Sequence, residues 1–328
     1  MKEGLSFMAG INILGTGRYI PEYVVKNDDF AAFLDTSDEW ITTRTGMSER
    51  RISLTEPTWV MGATAAKEAI KSAGISPSDI DMIIGTTVTP DYFFPSMSSL
   101  VMNELMIEDC VPIDLNVACT GLAVSMDMAR RYLMDGTAKR ILLVCAESMS
   151  QYADYTDRAT CVLFGDAAGA MVVEASDKMF VSFMNGIPIS SEHLHCKRQR
   201  QPTPFHSDVP EERTLTHMNG REIYKFTIKA IPEAVEKVCE RAGIAISDIN
   251  MIFAHQANAR ILEAAAKNLN ISLDKFYMNI HRYGNTSSAT MATCFDECVR
   301  EGKIKHGDTI CFVGFGAGLI YAANILEY

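Results

Sequence analysis

The sequence predicts an α/β fold made of two related halves, and three observations lead there. Apolar, β-branched runs alternate with amphipathic helical patterns along most of the chain. One segment recurs: Ala73-Gly-Ile-Ser-Pro-Ser-Asp-Ile-Asp-Met-Ile-Ile84 matches Ala242-Gly-Ile-Ala-Ile-Ser-Asp-Ile-Asn-Met-Ile-Phe253, each after a helix of similar pattern. Finally, the helix after Cys119 ends at Gly136 and the helix after Asn285 ends at Gly302, at equal spacing. Strand–helix alternation argues for layered α/β architecture with largely parallel sheets, and the repeat divides the chain into residues 1–177 and 178–328, joined near Ser176–Lys178.

The elements follow in order. INILGTG, from Ile11, reads as a first strand, and Thr58 to Gly74 as an amphipathic helix closed by glycine. DMIIGTT from Asp81 is a buried strand, PSMSSLVMNELM from Pro95 a helix, and CVPIDLN from Cys110 a strand. GLAVSMDMARRYLMDG from Gly121 is a helix, and RILLVCAE from Arg140 a strand. The stretch Ser190–Arg213 breaks the pattern. It is polar, partly basic and contains proline, and it reads as a long surface excursion of the kind that often carries function.

Composition narrows the function. The hydrophobic fraction of 48% suffices for a buried core. A net charge of −11 argues against a general nucleic-acid binder, although a local basic patch can still attract an acidic protein. Nine cysteines, an odd number with no CxxC pair and mostly within apolar runs, read as reduced thiols. MKEGLSFMAG has no apolar core of a signal peptide, and no run approaches the ~18 apolar residues of a membrane span. Neither nucleic acid nor membrane is expected as a partner.

Cys119 lies where a strand turns sharply into a helix. Backbone N–H groups at a helix start favour an anion, so a thiol there is expected to have a lowered pKa; a buried structural cysteine fits the same position. His255 follows an apolar strand, where a neutral ring can face a substrate or simply cap the core. Asn258 can meet a substrate amide. Asn285 precedes a helix, as an uncharged oxyanion donor or as a plain N-cap. Gly314-Phe-Gly-Ala-Gly318 looks like a dinucleotide fingerprint, but the following LIYAANILEY reads as a strand. Its glycines suit close backbone approach to a reacting carbonyl. His193, His195 and Cys196 lack a partner cluster, so no metal site is expected.

ACTG at Cys119, TDRATCVLFGDAAGA from Thr156, HQANARI at His255, RYGNTSSA at Asn285, GFGAG at Gly314 and DTSDEWITTRTGMSERR from Asp35 together resemble the β-ketoacyl-[acyl-carrier-protein] synthase III family, from about Ile11 to Tyr328. The resemblance implies a thiolase-like fold, two pseudo-symmetric α/β halves in a five-layered αβαβα arrangement. It implies that Cys119 takes an acyl group from an acyl-CoA, usually acetyl-CoA. Malonyl-acyl-carrier protein then loses CO2, with His255 and Asn285 stabilising the enolate that attacks the acyl-cysteine. The backbone N–H groups of Cys119 and Gly316 would hold the oxyanion. Trp40, Arg44, Arg158 and Asn258 match coenzyme A contacts. Phe94 and Phe315 match acyl-pocket positions, Phe94 reaching into a partner subunit's pocket. Lys225, Arg260 and Lys267 match or lie near a carrier-protein docking patch. A cytoplasmic homodimer is implied, without a resident cofactor, since coenzyme A is substrate and product.

Two features depart from the family pattern: the longer, more basic 190–213 excursion, and Ile320-Tyr321-Ala322 in place of Thr-Trp-Gly. The rival readings are a sister condensing enzyme of secondary metabolism, a type III polyketide synthase (which usually has proline where this chain has Ala317), and a non-enzymatic thiol sensor or acyl-binding module.

Overall fold

A computed structural model describes residues 10–188, 191–207 and 213–328. In chain order the first half contains β1 (Gly10–Tyr19), β2 (Tyr23–Lys26), α1 (Asn27–Ala31), α2 (Asp38–Thr45), β3 (Glu49–Ile52), α3 (Thr58–Ala73) and β4 (Met82–Thr86). It continues with α4 (Met97–Glu104), β5 (Val111–Leu115), α5 (Gly121–Met134), β6 (Arg140–Ser148) and β7 (Asp166–Ser176). Then come β8 (Phe180–Gly186), β9 (Leu194–Cys196), β10 (Thr216–Met218), α6 (Gly220–Ala242), β11 (Met251–Ala254) and α7 (Ala259–Asn268). The chain closes with α8 (Ile280–Tyr283), α9 (Ala289–Arg300), β12 (Thr309–Gly316) and β13 (Ile320–Glu327).

Two sheets carry the fold, ordered β1-β7-β6-β4-β5 and β11-β12-β13-β8. Alternation of side chains along each strand sends odd and even residues to opposite faces. Ile83, Leu142 and Val144 pack under α3 and α4, while Ile84, Ile141 and Leu143 face inward to Leu122 and Met126 of α5 and Phe295 of α9. Phe253, Phe312 and Leu326 reach the same central core from the second sheet. Their neighbours Ile252, Cys311 and Ile325 turn outward to α6 and α7. Three cores thus separate five layers, helices–sheet–helices–sheet–helices.

The expectation of largely parallel sheets is corrected. β4 runs parallel to β5 and β6, and β11 to β12, but β1–β7, β6–β7, β12–β13 and β13–β8 are antiparallel. The β12–β13 connection is too short for a crossover, so the second strand has to return alongside the first.

The sequence repeat is a repeat of structure. Gly74 and Gly243 close α3 and α6 with φ of 68° and 70°. A short 3₁₀ turn follows each, in which Asp79 accepts from Ser76 N at 2.8 Å and Asp248 from Ala245 N at 2.9 Å, and β4 or β11 comes next. The two main sheets differ at one edge. Where the first sheet has β5, the second keeps a single parallel bridge, Ile252–Phe276.

Candidate active site

The strand-to-helix turn at Cys119 is tightly made. Residues 118–120 form a 3₁₀ turn between β5 and α5, and Ala118 sits at φ 47°. Ser287 takes φ 49° just before α9. Of the five non-glycine residues with positive φ among the described residues, these two flank one cavity, and left-handed backbone at L-residues persists where surrounding structure enforces it.

Cys119, His255 and Asn285 line that cavity together with Ser287, Phe315 and Gly316. The three segments, far apart in sequence, therefore meet. His255 follows β11 and its N–H is anchored to Val313 O at 2.8 Å. Its ring is 1% exposed, packs edge-on against Phe315 at 4.9 Å, and has no hydrogen-bond partner for Nδ1 among the described residues. Asn285 is fixed through its backbone, donating to Leu163 O at 2.8 Å and accepting from Gly165 N at 3.0 Å. Its Oδ1 accepts from Ser287 N at 2.9 Å, which leaves the amide N–H₂ as the group to present to a ligand. The 162–165 segment is itself held from below: the fully buried Arg50 donates to Val162 O at 2.7 Å and to Asn27 Oδ1 at 2.8 Å.

Electrostatics correct one expectation. The Cys119 thiol is not lowered: burial pushes it up to about 12, against a smaller opposing effect from the Ser287 hydroxyl. The helix-start effect fades within one turn and here loses to desolvation. A resting thiolate is therefore scarce. Burial holds His255 down to about 3, with the Ser287 backbone opposing only in part. The imidazole is neutral, suited to hydrogen-bonding an oxyanion rather than to ion pairing. Any step His255 assists by hydrogen bonding is expected to show no imidazole inflection between pH 5 and 8. An inflection near the ordinary histidine value that disappears in His255→Gln would refute this.

Gly316, at the end of β12, faces Cys119 so closely that a Cβ there would stand 2.8 Å from Cys119 N. A second cleft adjoins the first, sharing Met218, Ile223, Ala257 and Asn285 as walls, and is lined by Trp40, Arg44, Asn258 and Arg260. The guanidinium of Arg44 lies over the Trp40 ring at 4.6 Å and that of Arg158 at 5.1 Å. Arg158 also pairs with Asp35 at 3.1 Å. Asn258 is committed at both ends, as N-cap of α7 (Arg260 N to Oδ1, 2.9 Å) and as donor to Arg44 O at 3.0 Å.

Other sequence candidates lie elsewhere. Phe94 is 85% exposed and lines neither cleft. Lys225 is exposed and paired with Glu222 at 2.7 Å, and Lys267 is exposed late in α7.

The 190–213 excursion is more than a solvated loop. Ser190 and residues 208–212 lie outside the described residues, but β9 pairs with β10, and Leu194, His195 and Cys196 wall the cavity that holds Cys119. Arg198 stacks over Phe93 at 3.9 Å. No cluster of metal-ligating side chains occurs among the described residues.

Sequence reasoning passed over two residues. Ser287 stands two residues from Asn285, inside a serine-rich turn where nothing distinguishes it. Glu147 did carry a signal, a lone carboxylate ending the apolar run LLVCA, and it is fully buried.

Comparison with known proteins converges on one family. Residues 113–186 match the family model described as 3-oxoacyl-[acyl-carrier-protein (ACP)] synthase III, and residues 239–328 match its C-terminal model. A β-ketoacyl-[acyl-carrier-protein] synthase III of Clostridium acetobutylicum is 41% identical over 98% of this chain and 99% of its own length. The crystal structure of 3-oxoacyl-[acyl-carrier-protein] synthase III from Aquifex aeolicus superposes with a TM-score of 0.91 at 39% identity, covering 97% of this chain and 100% of that one. The priming β-ketosynthase of the R1128 polyketide pathway follows at 30% identity and a TM-score of 0.86, over 100% of this chain and 98% of that one.

Proposed function

This chain belongs to the 3-oxoacyl-[acyl-carrier-protein] synthase III family, with its thiolase-like fold, and on that premise we propose how its residues carry out the condensation that initiates fatty acid synthesis. The enzyme is an acyltransferase that joins an acyl group from acyl-CoA to malonyl-acyl-carrier protein. The single observation that supports the residue assignment is the meeting of Cys119, His255 and Asn285 at one cavity.

In the first half-reaction Cys119 Sγ attacks the thioester carbonyl and coenzyme A leaves. The N–H groups of Cys119 and Gly316 stabilise the tetrahedral oxyanion, an effect worth on the order of 10²–10³ in rate for one donor. In the second, the malonyl thioester oxygen accepts hydrogen bonds from His255 and the Asn285 amide while CO2 departs, and the resulting carbanion attacks the acyl-cysteine. Two neutral donors suit an enolate, which needs stabilisation without immediate protonation. Coenzyme A is substrate and product, and the chemistry as proposed calls for no resident cofactor.

The outer cleft suits the coenzyme A moiety, with adenine against Trp40 between the Arg44 and Arg158 guanidinium groups and pantetheine passing Asn258 toward Cys119. Trp40→Ala is expected to raise KM for acetyl-CoA on the order of tenfold through loss of stacking, with kcat nearly unchanged; steady-state kinetics with acetyl-CoA as varied substrate checks it. Arg260, at the rim of this cleft, with Lys225 and Lys267 beyond it, would face the acidic carrier protein. Phe94, Met106 and Val111, exposed at 85%, 85% and 52%, beside or on the edge strand β5, suit a second copy of the chain, in which Phe94 would reach the partner's acyl pocket. All nine cysteines are unpaired, which fits a reducing cytoplasm, and no helix among the described residues is long and apolar enough to cross a membrane.

The deciding experiment is intact mass after incubation with acetyl-CoA, followed by malonyl-acyl-carrier protein. The expected result is one acetyl group on the Cys119 peptide, discharged as acetoacetyl-carrier protein, and none on Cys119→Ala. Equal labelling of both proteins would overturn the assignment; labelling only by long-chain acyl-CoA would favour a secondary-metabolism condensing enzyme.

A further inference from the structure

Behind the nucleophile lies a buried carboxyl group that the mechanism above leaves unused. Cys119 Sγ donates to Ser287 Oγ at 3.4 Å, and Ser287 Oγ donates to Glu147 Oε1 at 3.1 Å. Glu147, the last residue but one of β6, is fully buried, and both its oxygens are ringed by donors. Oε1 also faces Ser288 Oγ at 2.6 Å and Ser288 N at 3.4 Å; Oε2 faces Thr89 Oγ1 at 2.8 Å, Val88 N at 3.0 Å and Thr87 Oγ1 at 3.3 Å. Each hydrogen bond that ends on these oxygens favours the ionised form of the carboxyl group. A path of hydrogen bonds runs from it through Ser287 to the sulfur. Burial, the largest effect, holds the affinity of Glu147 for a proton above the ordinary carboxylate value, which suits an acceptor, and the donors oppose that rise in part. The other titratable groups coupled to it are Cys145, whose sulfur accepts from Thr86 Oγ1 at 2.9 Å, and the half-buried Tyr152.

We propose that Glu147 is the proton store of the nucleophile, taking the Cys119 proton through Ser287 while the acyl-enzyme exists and returning it when the cysteine is released. The inference rests on Cys119 being the nucleophile. In acylation the Sγ–H bond breaks and its proton passes to Ser287 Oγ as the Ser287 hydroxyl proton passes to Glu147 Oε1. The sulfur bonds to the acyl carbon, the acyl–sulfur bond to coenzyme A breaks, and the departing thiolate takes a proton from solvent. In condensation the electron pair freed by CO2 forms the carbon–carbon bond, the acyl–Cys119 bond breaks, and the cysteine thiolate recovers the stored proton along the same path. Nothing is oxidised or reduced, and each turnover consumes one solvent proton.

This accounts for two features together. A thiol with a proton as tightly held as that of Cys119 needs an acceptor coupled to its attack, and the neutral His255 is too weak a base to be one. The left-handed backbone of Ser287 is also explained: it turns the side chain to the sulfur while the N–H orients Asn285, so one strained residue serves both halves of the reaction.

The test uses Glu147→Gln, which keeps the shape and cannot bind the proton, with Ser287→Ala as the second variant should the first fail to fold in a thermal melt. Two rates are read from pH 6 to 9: single-turnover acetylation by acetyl-CoA, and decarboxylation of malonyl-acyl-carrier protein. The expected result is acetylation slowed on the order of 10²-fold at pH 7, the deficit narrowing as hydroxide replaces the lost acceptor, with decarboxylation unchanged. Acetylation at the wild-type rate, a deficit that does not narrow with pH, or equal loss of both reactions would overturn the proposal and leave Glu147 a structural group. Absence of acetyl on Cys119 in the wild-type protein would instead refute the nucleophile assignment itself.

Discussion

Asn285→Asp is expected to cut decarboxylation of malonyl-acyl-carrier protein by at least 10³-fold while sparing acetylation of Cys119. The substitution is selective because of how the amide is held. Oδ1 already accepts from Ser287 N, and an aspartate oxygen takes over that bond without moving. What changes is the other atom, where a donor becomes an anion facing a developing enolate. Loss of one oxyanion donor typically costs about 3–4 kcal/mol. Two like charges some 4 Å apart repel by about 4 kcal/mol at an effective dielectric near 20. Either effect alone accounts for on the order of 10³, and together they exceed it. Measurement of CO2 release beside intact mass separates the two half-reactions. Equal loss in both would mean that the variant disturbs the Cys119 turn instead of the enolate.

Gly316→Ala is expected to produce the opposite division, with acetylation falling on the order of 10²–10³-fold. An added Cβ would stand 2.8 Å from Cys119 N and 3.1 Å from Ala118 Cβ. The first contact is with backbone, which cannot swing aside, so the Cys119 N–H, proposed as one of the two oxyanion donors, is displaced. Strand pairing restricts relief on the other side, because Gly316 is in register with Ile320 of β13. The check is single-turnover acetylation together with malonyl decarboxylation. Unimpaired acetylation in a folded Gly316→Ala protein would remove Gly316 from the oxyanion site.

Much of this site was legible in the sequence because its parts are local. A strand that turns into a helix at Cys119, a histidine ending β11 and an asparagine before α9 each leave a short signature, and the repeat of α3–β4 in α6–β11 signals the duplicated scaffold. Pairing direction was not legible, because apolar runs report burial and not which neighbour a strand finds. The thiol's raised pKa was equally hidden: helix-start placement is a sequence property, whereas desolvation depends on what the other half of the chain packs over the sulfur. Glu147 lies between these cases. Its charge within LLVCAES is plain, but its meaning comes only from Ser287, far along the chain. The 190–213 excursion was legible as a polar excursion of the kind that carries function, with Lys197, Arg198 and Arg200 as its basic part, but not which of its residues do so: Leu194–Cys196 wall the cavity.

The central core has a consequence for how the molecule comes apart. Ile84 and Leu143 from one sheet and Phe253 and Phe312 from the other bury a common surface around α5 and α9, and Asn324 reaches across to Ala123 O at 3.1 Å. Cutting the chain between Ser176 and Phe180 would bare that surface on both fragments, so neither is fit to stand alone. Melting should accordingly be one cooperative event, in which the cavity shared by Cys119 and Asn285 is lost together with both sheets.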